Sequence, residues 1–95
     1  MLFEWDNHKA ALNELKHGVS FELAQSVFDD PLHLSVLELK NVHEERWVTL
    51  GLAADSKTLV VVHTYKSVGH GIEIIRIISA RPATKKERKQ YEEGI

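Results

Sequence analysis

The sequence contains no cysteine and only two prolines among its 95 residues. The absence of cysteine excludes disulfides, cysteine-ligated zinc and thiol catalysis. No stretch approaches the ~18 consecutive apolar residues of a membrane-spanning helix. The first nine residues, MLFEWDNHK, lack the basic and apolar segments of a secretion signal. With a length suited to one modest core, these absences predict a single-domain cytoplasmic protein that has no membrane partner.

The net charge is small, but the charged residues are unevenly distributed along the chain. The formal net charge is only −2, yet residues 1–45 hold 3 Lys or Arg against 9 Asp or Glu, whereas residues 46–95 hold 9 against 5. A basic half suits a polyanion, and an acidic half suits a basic partner or an internal pairing with the basic half. The sequence does not decide between these interpretations of the charge distribution.

Apolar spacing and turn residues predict an α+β fold. We expect an antiparallel sheet of about four or five strands, two N-terminal helices and one C-terminal helix. The predicted elements are strand 2–5, helix 7–16, a second helix from Ser20 to Asp29, an edge strand at 32–39, a polar turn at 41–45, strands 46–52, 59–65 and 72–80, and a helix after Thr84.

The predicted helices have recognisable ends. Asp6 or Asn7 can cap the first helix, and Gly18 suits the left-handed position after it. Thr84 and Glu87 have the spacing of a capping box. The expected apolar face of the first helix consists of Ala11, Leu12 and Leu15, and the expected core of the second consists of Phe21, Ala24, Val27 and Phe28.

Arginine interrupts the most apolar strand. Arg76 lies within Ile-Ile-Arg-Ile-Ile, where a guanidinium is costly unless an acceptor meets it. Arg81 follows, and Pro82 predicts the end of the strand. Because residues 76 and 81 differ by an odd number, they share a face only if the backbone bulges between them near Ser79-Ala80. Lys85 and Lys86 begin the last helix. They are either solvated surface cations or part of a site that binds an anion.

Six histidines do not make a metal site by spacing, since none forms an HExxH or HxH pattern. We therefore predict no metal. The sequence also has no phosphate loop and no Gly-rich dinucleotide fingerprint, and we predict no cofactor. His63 and Tyr65 share a strand face, where the histidine is either a hydrogen-bonded core residue or a general acid or base. Glu45 and Arg46 begin the neighbouring strand and are expected beside the same face, unless they form a surface ion pair.

Several segments together resemble a known family. They are FEWD at 3–6, N-x-x-KHGVSF at 13–21, VFDDP at 27–31, EERWVTLG at 44–51, VVVHT at 60–64, RIISARPAT at 76–84 and KKERKQYEE at 85–93. In this order they are similar to the BrnT family of type II toxins, and they span nearly the whole chain.

The resemblance implies a RelE-like ribonuclease that needs no metal and is neutralised by a BrnA-type ribbon-helix-helix antitoxin, which would be its indirect link to DNA. It points to Arg76 and Arg81 as phosphate stabilisers. It also suggests an acid–base or positioning role for Lys16, His17, Glu45 and His63. RNA contacts would come from Lys85, Lys86, Arg88, Arg46 and Tyr65, with Trp47 as a further base-stacking residue. The alternative is a non-catalytic module that uses the same basic surface to bind nucleic acid or a protein.

Overall fold

The computed structural model describes residues 1–38 and 44–94. Its strands are β1 (Leu2–Glu4), β2 (Leu34–Glu38), β3 (Arg46–Leu52), β4 (Thr58–Ser67) and β5 (Glu73–Pro82). Its helices are α1 (Asn7–His17), α2 (Phe21–Gln25) and α3 (Lys85–Glu93), and a 3₁₀ turn covers Ser26–Asp29. The predicted edge strand at 32–39 is present as β2. Its last predicted residue, Leu39, and residues 41–43 of the predicted turn lie outside the described residues.

The five strands form one sheet in the order β1-β5-β4-β3-β2. The predicted α+β class and the strand number are confirmed, but the predicted purely antiparallel sheet is wrong. β1 pairs with β5 in parallel, whereas every other neighbouring pair is antiparallel. The parallel pair arises because the whole chain between β1 and β5 separates them, so no tight hairpin constrains their relative direction.

One face of the sheet, here called the helix face, is covered by α1, α2 and the 3₁₀ turn. Its core contains the fully buried residues Phe21, Ala24 and Val27 from the second helical segment, and Phe28 packs against them. The predicted core of this segment is confirmed. Gly51 of β3 permits the close contact, since an added Cβ would lie 2.7 Å from Val27 Cγ1.

The first helix does not pack as its apolar residues predicted. Leu12 is 52% exposed and Leu15 is 85% exposed, whereas Asn13 is buried. The Asn13 carboxamide donates to Ala80 O at 2.8 Å and to Val19 O at 3.1 Å, and it accepts from Ala80 N at 3.1 Å. The amide therefore occupies the free edge of β5 as another strand would. Polar edge pairing, rather than an apolar stripe, positions α1.

A β-bulge in β5 decides where its arginines point. The register passes from Val62–Ser79 to His63–Ile77, which leaves Ile78 as the extra residue. Arg76 is then opposite Thr64, and Arg81 is opposite Val60. Because residues 60 and 64 of β4 lie on the same side, both arginines lie on the face opposite the helix face. The predicted bulge exists, one residue before the expected position.

β5 extends through Pro82, two residues beyond the predicted end at residue 80. Ala80 directs its N–H and C=O towards the open edge, where Asn13 meets them. Pro82, two residues later, faces the same edge, so its missing N–H interrupts no pairing with β4. Ala83 resumes the bonding towards β4 by donating to Thr58 O at 3.0 Å.

The predicted helix caps are confirmed. Asp6 and Ser20 cap α1 and α2, Gly18 has φ = 69°, and Thr84 with Glu87 forms both bonds of a capping box. α3 lies over the second face of the sheet, here called the α3 face, beside Leu50 and Val60. It has no buried residue among its described side chains, so polar contacts must hold much of its position.

Candidate functional site

The end of the α3 face that α3 leaves uncovered forms an open cavity of about 530 Å³, here called the polar cavity. Its lining combines acidic and basic side chains with the end of the β4–β5 hairpin. The lining residues are Glu4, Glu44, Glu45, Thr64, Tyr65, Lys66, Ile74 and Arg76. The basic side chains of this site can bind an anion, and its acidic side chains place carboxylates next to that anion.

One carboxylate organises the guanidinium groups of the polar cavity. Glu44 accepts from Arg76 Nη2 through Oε2 at 2.8 Å and from Arg46 Nε through Oε1 at 3.2 Å. The Arg76 side chain is 45% exposed. A guanidinium has five N–H donors, and within the described chain the Glu44 contact is the hydrogen bond that Arg76 makes. Arg76 therefore has further N–H donors that contact no described residue and could bind a ligand in the cavity.

Arg81 is held much more tightly than Arg76. Its Nη1 and Nη2 atoms contact the two carboxylate oxygens of Glu87 at 2.7 and 2.9 Å, and Nη1 also donates to Pro82 O at 3.3 Å. The Arg81 contact lowers the pKa of Glu87 to about 2. This two-point pair attaches α3 to β5. Arg81 and Arg76 are separated by roughly 15 Å along the strand at 3.2–3.4 Å per residue.

A second attachment of α3 comes from Tyr91, whose hydroxyl donates to Asp30 Oδ2 at 2.5 Å. Asp30 also accepts from the backbone N–H groups of Leu52 and Leu32. Burial alone would raise the pKa of Asp30, but the bonds from Tyr91 and these two N–H groups outweigh it and lower the pKa. The same bond raises the pKa of Tyr91 to about 12.

The remaining predicted cations lie towards the Arg81 end of β5. Lys16 and His17 follow Asn13 by about one helical turn, and Asn13 contacts Ala80, the neighbour of Arg81. Lys85, Lys86 and Arg88 are exposed on the first turns of α3, which begins three residues after Pro82. The structure therefore divides the predicted site into two groups at opposite ends of β5.

His63 is 3% exposed and lies on the helix face, opposite Trp47. Its Nε2 atom is 2.6 Å from Thr49 Oγ1, which is 2.7 Å from Ser35 Oγ. Its Nδ1 atom is 3.0 Å from the Thr64 carbonyl oxygen. Burial lowers the pKa of His63, and the Thr64 carbonyl can only accept. The neutral tautomer with Nδ1–H satisfies every one of these contacts.

The expectation that Arg46 shares a face with His63 is wrong. Trp47 is the residue opposite His63, so strand alternation directs Arg46 to the other face, where it contacts Glu44. Three contributors were missed by sequence reasoning: Glu44, Thr49 and Ser35. Side-chain alternation along β3 could have predicted that Thr49 lies on the same face of the sheet as His63. The contacts of Glu44 with Arg46 and Arg76 could not be predicted in this way, because Glu44 precedes β3 and lies outside any regular pattern.

A second cavity, of about 320 Å³, opens on the helix face and is here called the aromatic cavity. Its lining is mainly ring and apolar side chains with a few polar groups: Met1, Phe28, His33, Ser35, Trp47, His63, Tyr65, Glu73 and Ile75. Tyr65 lines both cavities. A ligand with a flat ring and polar edges would fit the shape and the lining of this cavity.

Within residues 1–38 and 44–94, no three His, Asp or Glu side chains are grouped so as to hold a metal ion. No helix in that part of the chain is long and apolar enough to cross a membrane.

The fold belongs to a class of small α+β proteins already known from a ribonuclease toxin. The chain is similar in structure to the crystal structure of the Brucella abortus ribonuclease toxin BrnT, with a TM-score of 0.54 and 23% identity, over 90% of this chain and 100% of that one. A comparison with curated proteins gives no match. Residues 5–87 match the family model described as ribonuclease toxin, BrnT, of type II toxin-antitoxin system, so the chain belongs to the BrnT family.

Proposed function

We propose that this chain is a metal-independent endoribonuclease that cleaves RNA in the polar cavity. The observation that carries the proposal is the arrangement of Arg76, which lines an open cavity with Lys66 and Glu45 and uses one contact to Glu44. Membership of a family of ribonuclease toxins supplies the reaction class. The geometry supports a division of roles among these side chains.

RNA cleavage without a metal needs three groups. A base removes the proton of the ribose 2′-hydroxyl, cations stabilise the charge on the five-coordinate phosphorus, and an acid protonates the leaving 5′-oxygen. In our proposal Glu45 is the base, Arg76 stabilises the phosphate charge and Lys66 is the acid. Arg46 and Glu44 position Arg76, because the guanidiniums of Arg46 and Arg76 both contact the Glu44 carboxylate.

The other predicted residues take supporting roles in this proposal. Tyr65, which lines both cavities, contacts RNA, and His63 acts as a buried positioning residue of the aromatic cavity. Lys85, Lys86 and Arg88 attract RNA over a longer range. Lys16 and His17 would contribute at the Arg81 end of the sheet, where a phosphate would have to compete with Glu87 for the Arg81 guanidinium.

The reaction is tested with purified protein and a defined RNA in EDTA. The proposal predicts fragments that end in a 2′,3′-cyclic phosphate and a 5′-hydroxyl, and a strong loss of cleavage in Glu45→Gln. Asp55→Asn, a carboxylate in the β3–β4 turn, is the matched control and should cleave normally. Intact RNA at every salt concentration, with and without ribosomes, would favour the non-catalytic binding module.

Membership of a type II toxin-antitoxin family implies an antitoxin partner. We propose that the partner is a BrnA-type ribbon-helix-helix protein that acts in the cytoplasm and covers α3 or the adjacent cations. Support comes from α3 itself, whose described side chains include none that is buried. Amide exchange should slow in α3 when the antitoxin binds. Equal exchange with and without it would contradict this placement.

A further inference from the structure

The polar side chains Ser35, Thr49 and His63 form one hydrogen-bonded chain beside the aromatic cavity. Nδ1–H of His63 is committed to Thr64 O, so Nε2 accepts the Thr49 hydroxyl proton, and Thr49 in turn accepts from the Ser35 hydroxyl. Ser35 therefore has oxygen lone pairs left for a ligand. His63 contributes an edge-on ring contact to Phe28 at 4.9 Å between centroids. The imidazole acts as a wall, with both nitrogens already bonded.

Glu73 adds the strongest acceptor of this cavity. Glu73 lines the cavity together with Tyr65, and the nearby carboxylate raises the pKa of the Tyr65 hydroxyl. A carboxylate has two oxygens and about four acceptor positions, so Glu73 can accept two adjacent N–H donors of a ligand. The cavity therefore combines ring walls from Trp47 and Tyr65 with a two-oxygen acceptor at its rim. A ring that carries adjacent N–H donors complements it.

The two cavities meet at the end of β4. Pairing between β3 and β4 ends at Trp47–His63, so Thr64 to Ser67 pair with β5 alone. Among residues 1–38 and 44–94, no strand pairs with the edge of β4 beyond that point. Tyr65 borders both cavities there, while Thr64 and Lys66 line the polar one. A nucleotide strand can pass this edge with its phosphate on one face and a base on the other.

We infer that the aromatic cavity binds an unpaired guanine of the RNA, next to the phosphate held at Arg76. This inference rests on the proposed ribonuclease function. Guanine presents N1–H and N2–H₂ side by side, which matches the two oxygens of Glu73. Adenine and cytosine each place an acceptor beside their amino group, and uracil has one N–H between two carbonyls. Stacking on Trp47 and Tyr65 supplies affinity that does not depend on the base.

Fluorescence of Trp47 tests the inference directly. In a Trp5→Phe background Trp47 is the one remaining tryptophan, and its emission is titrated with GMP, IMP, AMP, CMP and UMP. GMP should bind about tenfold or more tightly than AMP, as a good two-point contact discriminates. IMP, which keeps N1–H but lacks the amino group, should fall between them. Glu73→Gln should reduce GMP affinity about tenfold, whereas the distant Glu92→Gln should not.

The outcomes separate this inference from the proposed function. Equal binding of all five nucleotides, or an unchanged preference in a folded Glu73→Gln protein, would overturn the guanine site even if RNA is cleaved. A Trp47 response to the antitoxin but to no nucleotide would overturn it in favour of protein docking. Guanine-selective binding without RNA cleavage would support the site and overturn the nuclease proposal. Melting curves of each variant confirm that the protein tested is folded.

Discussion

The two halves of β5 carry one arginine each, on the same face, in opposite circumstances. Arg76 lines an open cavity and, among the described residues, makes a single hydrogen bond, to Glu44, whereas Arg81 makes a two-point pair with Glu87 that attaches α3. Their side chains are similarly exposed, at 45% and 41%. Exposure alone therefore does not distinguish the arginine that we propose binds phosphate from the one that attaches α3. The two differ in how many of their N–H donors contact described residues.

The largest effect is expected from Arg76→Ala, which should slow RNA cleavage by about 100- to 1,000-fold, as for loss of one transition-state donor. The melting temperature should change little, because exposed ion pairs contribute about 0–1 kcal/mol. Cleavage kinetics and thermal melting measure the two effects. Lys89→Ala, which removes another exposed cation, should leave cleavage near the wild-type rate. A similar loss in both variants would indicate nonspecific charge effects.

The edge-pairing amide gives the next largest effect. Asn13→Ala leaves the N–H and C=O of Ala80 without their partner, and we expect a loss of about 2–4 kcal/mol in the free energy of unfolding. Urea denaturation measures it. Leu15→Ala on the same helix is the control and should cost under about 0.5 kcal/mol, because Leu15 is 85% exposed. Equal costs would mean that α1 packs through its leucines after all.

Arg81→Gln should act on stability in a pH-dependent way. Glu87 has its pKa lowered from 4.5 to about 2 in the folded protein. Its stabilising contribution is therefore present above pH 4.5 and is lost as the pH falls towards 2. We expect a cost of up to about 1 kcal/mol at pH 7, since the pair is partly exposed, and no cost near pH 2. Denaturation of the wild-type protein and of the variant between pH 2 and pH 7 measures this loss of stability. A loss that stays the same over the whole range would contradict the prediction.

The smallest effect is expected from the cations that begin α3. The double variant Lys85→Ala with Lys86→Ala should weaken RNA binding at low salt and reduce the slope of log affinity against log salt by about 1.4, for two single-strand phosphate contacts. Filter binding across several salt concentrations measures the slope. Replacement of Lys57, in the β3–β4 turn, should leave it unchanged. An unaltered slope in the double variant would remove these lysines from the RNA path.

Much of the fold could be predicted because it follows local rules. Caps at Asp6, Ser20 and Thr84 are set by neighbouring side chains, and the core of the second helical segment is set by apolar spacing. The packing of α1 could not be predicted in this way. Its contact with Ala80 joins residues 67 positions apart, and a buried asparagine has no periodic signature. Long-range polar pairing therefore replaced the apolar stripe that the helix sequence suggested.

The candidate site shows the same limit. The arginines were recognisable because a guanidinium in an apolar strand needs an acceptor, but the identity of each acceptor was not. Glu87 lies six residues from Arg81, and Glu44 lies 32 residues from Arg76. The bulge at Ile78 was expected only as a condition for the two arginines to share a face. How far apart they lie on that face depended on the strand continuing through Pro82.

The most direct test of the division within β5 is nuclear magnetic resonance of the arginine side chains. The sequence has four arginines, so their Nε–H signals can be assigned individually. A non-cleavable dinucleotide with a 2′-deoxyribose at the scissile position is added to the protein. The account predicts a large shift of the Arg76 signal and little change at Arg81. A shift at Arg81 with Arg76 unaffected would contradict it.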